Sequence, residues 1–200
     1  MIHYSEVGQD IFALETAKLH TYIEIGGAHP IHMNNTYLLE KNNWTGYSIE
    51  IDNKYKSDWN NKRKNKIHFN DAVDFVYPKQ NRVGYLSCDI NPPDVTVQAL
   101  KNVIEQGIVF DCITFEHDDY LCEEKNYNSV CAETKHYLQT KGYKVAVDNV
   151  FVVKRKRINK SKKKFPTNCH FETWYVNKDI NFQYIDYENW KNEKQLLYKL

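Results

Sequence analysis

The chain has 200 residues, a net charge of +1, and apolar and charged shares of 42% and 26%. This suits one globular domain with a sizeable core and excludes a chain that binds polyanions through its overall charge. No run of about eighteen apolar residues occurs, and MIHYSEVGQDIFALE has no basic stretch leading into an apolar one. Neither a membrane span nor a signal peptide is therefore expected, and a cytoplasmic location is.

In chain order, SEVGQDIFALETAKL (5–19) places Val7, Ile11 and Leu14 on one helical face. TYIEI is a buried strand that runs into Gly26-Gly27, and a helix follows from the Asn34-Asn35 pair through NNTYLLEKNN. TGYSIEID is a second strand, KYKSDWNNKRKNK an exposed helix and KIHFNDA a short third strand. RVGYLSCDI is a fourth strand, stopped by Pro92-Pro93, and DVTVQALKNVIEQG has helical spacing up to Gly107. IVFDCITFEHDD is a strong fifth strand. A helix over roughly 126–141 leads to YKVAVDNVFVV, then HFETWYV, with a last helix from Tyr187.

Alternating strands and helices predict an α/β fold, a mostly parallel sheet covered on both faces. The last two strands have no helix between them and are expected to pair antiparallel at the edge. Between them lies KRKRINKSKKK (154–164), read as a loop that concentrates eight of the chain's 27 Lys and Arg residues. Without them the rest of the chain would be near −7. Phosphate or nucleic-acid contact and nuclear import are the functional readings of such a run. The five cysteines are scattered without C-x-x-C spacing, so neither a zinc site nor a disulfide framework is expected.

In such sheets ligands bind beyond the carboxyl ends of the strands. Here all four such ends carry acids: Glu24, Glu50 to Asp52, Asp89 with Asp94, and Glu116 to Asp119. Glu24 beside the first turn, and no third glycine after Gly26-Gly27, disfavour a pyrophosphate cofactor. A cationic cofactor bearing a vicinal diol fits better, and S-adenosylmethionine is one. Glu50 suits the ribose diol, and Asn70-Asp71-Ala72 lies where adenine would be reached.

GQDIFALE (8–15), EIGGAHPIHMNNTYLLEKNNWTGYSIE (24–50), YLSCDI (85–90), ITFEHDDY (113–120) and FETWYV (171–176) together resemble the FkbM-type class I methyltransferases. The resemblance implies a Rossmann-like three-layer sandwich with a seven-stranded sheet. It also implies methyl transfer from S-adenosylmethionine, typically to an oxygen of a sugar or natural product. Glu24, Gly26, Asn35, Thr36 and Glu50 match the family's cofactor-binding positions, and Gly27 lies within the same turn. Where the family usually has Asp then Gly after the turn, this chain has His29 and Pro30, and Asp89-Ile90-Asn91-Pro92 replaces its D-x-E-G.

A hydroxyl acceptor needs a base or a metal to become nucleophilic. Asp89 and Glu116-His117-Asp118 close adjacent strands and face one crevice, with His117 as the candidate base or, alternatively, a strand-end hydrogen-bonding group. Asp89 and Asp118 are oxygen ligands suited to Mg²⁺. Asn91 and Glu116 are candidate acceptor contacts, and Trp174 is either an acceptor-pocket wall or a core residue. The expected partner is a small-molecule or glycan substrate. Two alternatives stay open. One is an adenine amino-methyltransferase of nucleic acid using Asn91-Pro92-Pro93 and the basic run. The other is an inactive Rossmann-like binding or scaffold module.

Overall fold

The computed structural model describes residues 2–118, 129–153, 168–195 and 197–198. Strand β1 (Ile2–His3) precedes α1 (Gln9–Thr16), β2 (Thr21–Ile25), α2 (Tyr37–Lys41) and β3 (Thr45–Glu50). Next come α3 (Lys56–Lys62), β4 (Lys66–Phe69), β5 (Arg82–Cys88), α4 (Pro93–Glu105) and β6 (Val109–Glu116). Helix α5 (Val130–Thr140), β7 (Tyr143–Val153), β8 (Asn168–Asn177), β9 (Ile185–Asp186), α6 (Tyr187–Lys194) and β10 (Leu197–Tyr198) complete the chain. The basic segment 154–164 lies outside the described residues.

The main sheet runs β4-β3-β2-β5-β6-β8-β7-β9. All neighbours are parallel except those of β8, which is antiparallel to both β6 and β7. Among the described residues this sheet has eight strands where seven were expected, because the two-residue β9 pairs with Val147 and Asp148 of β7. The antiparallel pairing of β7 with β8 agrees with the expectation for the last two strands. Strands β1 and β10 form a separate parallel pair that ties the two ends of the chain together.

Strand alternation sorts the core into two layers. Tyr22, Tyr85, Cys112 and Trp174 pack under α1, α2 and α6 with Phe12, Leu39 and Trp190. Ile23, Leu86, Ile113 and Tyr175 pack under α4 and α5 with Leu100, Val103 and Leu138. This is a three-layer α/β sandwich. The first helix is shorter than its apolar spacing suggested. Asp10 accepts from Tyr4 N, Ser5 N and Ser5 Oγ, folding residues 4–8 into a turn that ends at Gly8 with φ 98°. No helix among the described residues is long and apolar enough to cross a membrane.

Candidate active site

The turn after β2 is shaped by Gly26. At φ 90° a Cβ there would sit 1.7 Å from the Asp89 carbonyl oxygen, so only glycine lets the ends of β2 and β5 approach this closely. The N–H groups of Gly26 and Gly27 both donate to Ile49 O, at 2.9 and 3.3 Å. Ala28 N–H donates to Glu50 Oε2 at 2.8 Å. Three successive amides are thus consumed by β3 and its end, and none of them forms a nest for a phosphate.

Glu24 lies beneath this turn, 1% exposed, and its Oε2 accepts from Thr36 Oγ1 at 3.0 Å and Ser48 Oγ at 2.5 Å. Burial pushes its pKa up, against the pull of the Arg63 guanidinium and these hydroxyls. Arg63, itself buried, supplies the counter-charge and uses all five donors. Nη1 reaches Pro30 O at 2.9 Å and Asn34 Oδ1 at 3.0 Å. Nη2 reaches Thr36 Oγ1 at 2.9 Å and Tyr22 OH at 3.0 Å, and Nε reaches Glu40 Oε2 at 3.1 Å. The guanidinium also stacks over Trp59, 4.3 Å from the ring centroid.

Thr36 and Asn35 turn inward as well, Asn35 Nδ2 donating to Ser87 Oγ at 2.9 Å. Asn34 escaped the sequence-based assignment, although it opens the Asn pair. Its Oδ1 accepts from Thr36 N and Tyr37 N at 3.1 and 2.8 Å, starting α2, while its Nδ2 clamps Gly27 O at 3.0 Å. Arg63 was also missed. Within a run of lysines nothing in the sequence separates a buried arginine from a solvated one.

Glu50, Asp71 and Asp89 present the carboxylates at the open strand ends. Glu50 is half-buried, its second oxygen held by Asp52 N at 2.8 Å. Asp71 is exposed and accepts from Val73 N at 2.9 Å, and Ala72 is buried beside it. With no phosphate nest and acids at three neighbouring strand ends, this donor set suits a cationic, diol-bearing cofactor.

At the ends of β5, β6 and β8 the strand register builds a row of acids. Cys88 of β5 pairs with Phe115 of β6, which brings Asp89 and Glu116 together, and Glu116 pairs directly with Glu172 of β8. Asp89 and Glu116 share a hydrogen bond, and Glu172 Oε2 accepts from Gln9 Nε2 at 2.8 Å. Burial, reinforced by Asp118 and Glu6, raises Asp89 to about 7. Burial and the neighbouring Asp89 raise Glu172 to about 8. Glu116, squeezed between them, is pushed far above the usual carboxyl range by burial and by Asp89 and Asp118.

His117 and Asp118 are buried, and both N–H groups donate to Phe171 O, at 2.7 and 3.0 Å. His117 Nε2 lies 3.2 Å from Thr173 Oγ1, on the opposite sheet face from the acid row. Trp174 is fully buried in the core, 4.8 Å from the Phe12 and Trp190 ring centroids. Asn91 is exposed at the mouth, and Pro93 opens α4 at a position where its missing N–H costs nothing. Asp119 lies outside the described residues. Among the described residues no group of three or more His, Cys, Asp or Glu side chains could hold a metal ion, so the Mg²⁺ site expected at Asp89 and Asp118 gains no support.

No family model matches the chain, and no curated protein does. Solved structures do. A candidate rRNA methylase from Clostridium thermocellum matches with a TM-score of 0.56 and 16% identity, over 88% of this chain and 97% of that one. M. capricolum TrmK, solved with S-adenosyl-homocysteine, matches at 0.54 and 13%, over 92% and 71%. An S-adenosylmethionine-dependent methyltransferase from Clostridium acetobutylicum matches at 0.53 and 11%, over 88% and 92%. At these identities the likeness is one of architecture: the chain has the Rossmann-like fold of S-adenosylmethionine-dependent methyltransferases.

Proposed function

We propose that the protein is an S-adenosylmethionine-dependent O-methyltransferase acting on a hydroxyl of a sugar, nucleotide-sugar or glycan, in keeping with its FkbM-type sequence motifs. The observation that carries this reading is the row Asp89–Glu116–Glu172 beside a first turn without a phosphate nest. Carboxyl groups that keep a proton both donate to and accept from hydroxyls, which suits a polyol acceptor at the position where the methyl group is delivered.

Glu50 would hold the ribose diol, Asp71 and Ala72 would flank the adenine, and Asp89 would face the cationic end. When bound, S-adenosylmethionine supplies an electrophilic methyl group. The chain's own contribution is to align the acceptor and remove its proton. Asp89, ionised above pH about 7, takes the proton from the acceptor oxygen. Glu116 keeps its own proton and holds Asp89 in place, and Glu172 anchors the row to Gln9. His117, buried against Thr173, steadies the end of β6.

A screen of nucleotide-sugars and glycans with isotope-labelled cofactor, read by mass spectrometry, tests the reading. Asp89→Asn is expected to lower kcat by about 10²–10⁴-fold while S-adenosylhomocysteine still binds. Binding without any methylated hydroxyl product would refute the acceptor class. Transfer to single-stranded nucleic acid instead would favour the base-methylating alternative, for which exposed Asn91 beside Asp89 is the supporting feature.

A further inference from the structure

Among the described residues β4 is an outer strand of the sheet, and a concavity lies against it. A cavity of about 500 Å³ lies between α3 and the edge strand β4, its lining including Lys56, Lys64, Lys66, Arg63, Asn60 and Asn70. Among the described residues no carboxylate lines it. The acids of the same region are already committed. Asp58 pairs with Lys62 at 3.2 Å, and Asp52 pairs with Lys54 at 2.6 Å. Glu40 accepts from Arg63 Nε and from the N–H groups of Lys64 and Asn65, at 3.1, 2.9 and 2.9 Å.

Lys56, Lys64 and Lys66 are exposed, and among the described residues none of the three is paired with a carboxylate. The chain therefore gathers three solvated ammonium groups and one buried guanidinium around one concavity, although its net charge is only +1. Arg63 adds no hydrogen bonds, since its donors are used, and its charge is matched by Glu40 and Glu24. The lysines and asparagines are the groups with donors to offer. The volume falls within the range of small-molecule sites.

We propose that this cavity binds the phosphoryl groups of a small phosphate ester, of the size of a nucleoside diphosphate. Three compact, rotatable ammonium groups suit the spread charge of a diphosphate, and the flanking amides add neutral donors. The cavity lies apart from the acid row, since three strand spacings, about 14 Å, divide β4 from β5; through Asn70 it borders Asp71, on the adenine side of the proposed cofactor site. The proposal does not depend on the methyltransferase reading.

Calorimetric titration of the whole chain with inorganic pyrophosphate, UDP and uridine tests it. Pyrophosphate and UDP are expected to bind and to weaken as ionic strength rises. UDP binding well above pyrophosphate would assign the ligand to a nucleoside carrier, and equal binding to the phosphoryl groups alone. Lys64→Glu/Lys66→Glu should lower affinity by about tenfold or more, equivalent to about 1.4 kcal/mol. The milder Lys64→Ala/Lys66→Ala pair should weaken it in the same direction with thermal stability unchanged. S-adenosylhomocysteine affinity should stay constant in both. Absence of pyrophosphate and UDP binding overturns the proposal. So does binding that survives the lysine changes but disappears when the basic residues of 154–164 are replaced by serine.

Discussion

Glu116 of β6 stands directly opposite Glu172 of β8, with Asp89 hydrogen-bonded on its other side. Like charges facing each other across a strand pair repel, and here they are also buried. The arrangement persists because the row keeps protons that isolated carboxyls would release at neutral pH. Raised carboxyl pKa values of this kind are what a proton acceptor working near pH 7 requires.

The same row governs stability. Asp89 and Glu172 rise to about 7 and about 8 from ordinary values of 3.8 and 4.5. Between about pH 4 and 8 the folded chain holds protons that the unfolded chain has lost, so these acids make stability fall as pH rises. His3 and His29, both lowered by burial, act in the opposite sense near 6.5. Comparing wild type with Glu172→Gln isolates the acid. The variant should lose less Tm on going from pH 5 to pH 8. Parallel curves of Tm against pH would rule out a buried, proton-holding Glu172.

Arg63 is the keystone of the loop after β2. Arg63→Lys removes the planar fork that reaches Pro30, Asn34, Thr36, Tyr22 and Glu40 together, and one ammonium cannot replace it. Glu24 would then be buried without a matched counter-charge. A loss of about 3–5 kcal/mol in urea unfolding is expected, by analogy with broken buried ion pairs. S-adenosylhomocysteine binding should be lost with it. A change of under about 1 kcal/mol would mean the hub is dispensable.

Two glycines with nearly the same backbone angle separate strain from collision. Gly107, at φ 87°, has nothing within 4 Å of a built Cβ, so Gly107→Ala should cost only the left-handed backbone penalty of about 1–2 kcal/mol. Gly26→Ala adds a clash with the Asp89 carbonyl and should be far worse, with cofactor binding abolished. Thermal unfolding of the two variants side by side checks this. Equal losses would show that the β2 and β5 ends can part.

Most of the strands and the helices after them were legible because burial on two faces imposes apolar runs, and Gly and Pro punctuate their ends. The acidic strand ends were legible too, as chemistry. What Glu24 does was not. Its position suggested a partner for a cationic cofactor; that Thr36, Ser48 and Arg63 would gather around the carboxylate under the turn could not be read from it. Glu172 sat unnoticed in FETWYV because its meaning depends on register with Glu116, a relation between strands 56 residues apart. Arg63 and Asn34 were hidden for the same reason: their partners come from distant turns.

His29, where the resemblance led to an expectation of Asp, is tied to the loop by its ring. Its Nδ1 accepts from Ile31 N at 3.1 Å and His32 N at 2.9 Å, the bonds a carboxylate or amide oxygen makes in an Asx turn. Only the neutral ring with its proton on Nε2 can accept at Nδ1. Partial burial and the nearby Lys62 hold the pKa below the ordinary 6.5, against Asp58, so the ring is neutral at pH 7. Stability from this group is therefore present above about 6.5 and is lost as pH falls. Below that range a protonated Nδ1 repels both N–H groups, and the loop between Gly27 and Asn34 loosens. S-adenosylhomocysteine affinity should fall between about pH 7 and 5. His29→Asn, which restores a neutral oxygen acceptor, should remove much of that dependence, while His29→Ala should bind weakly at every pH. The Asp89 row titrates in the same window but is common to all three proteins, so the difference between the curves belongs to His29. If His29→Asn retains the full acid sensitivity of the wild type, the ring is not the loop's anchor.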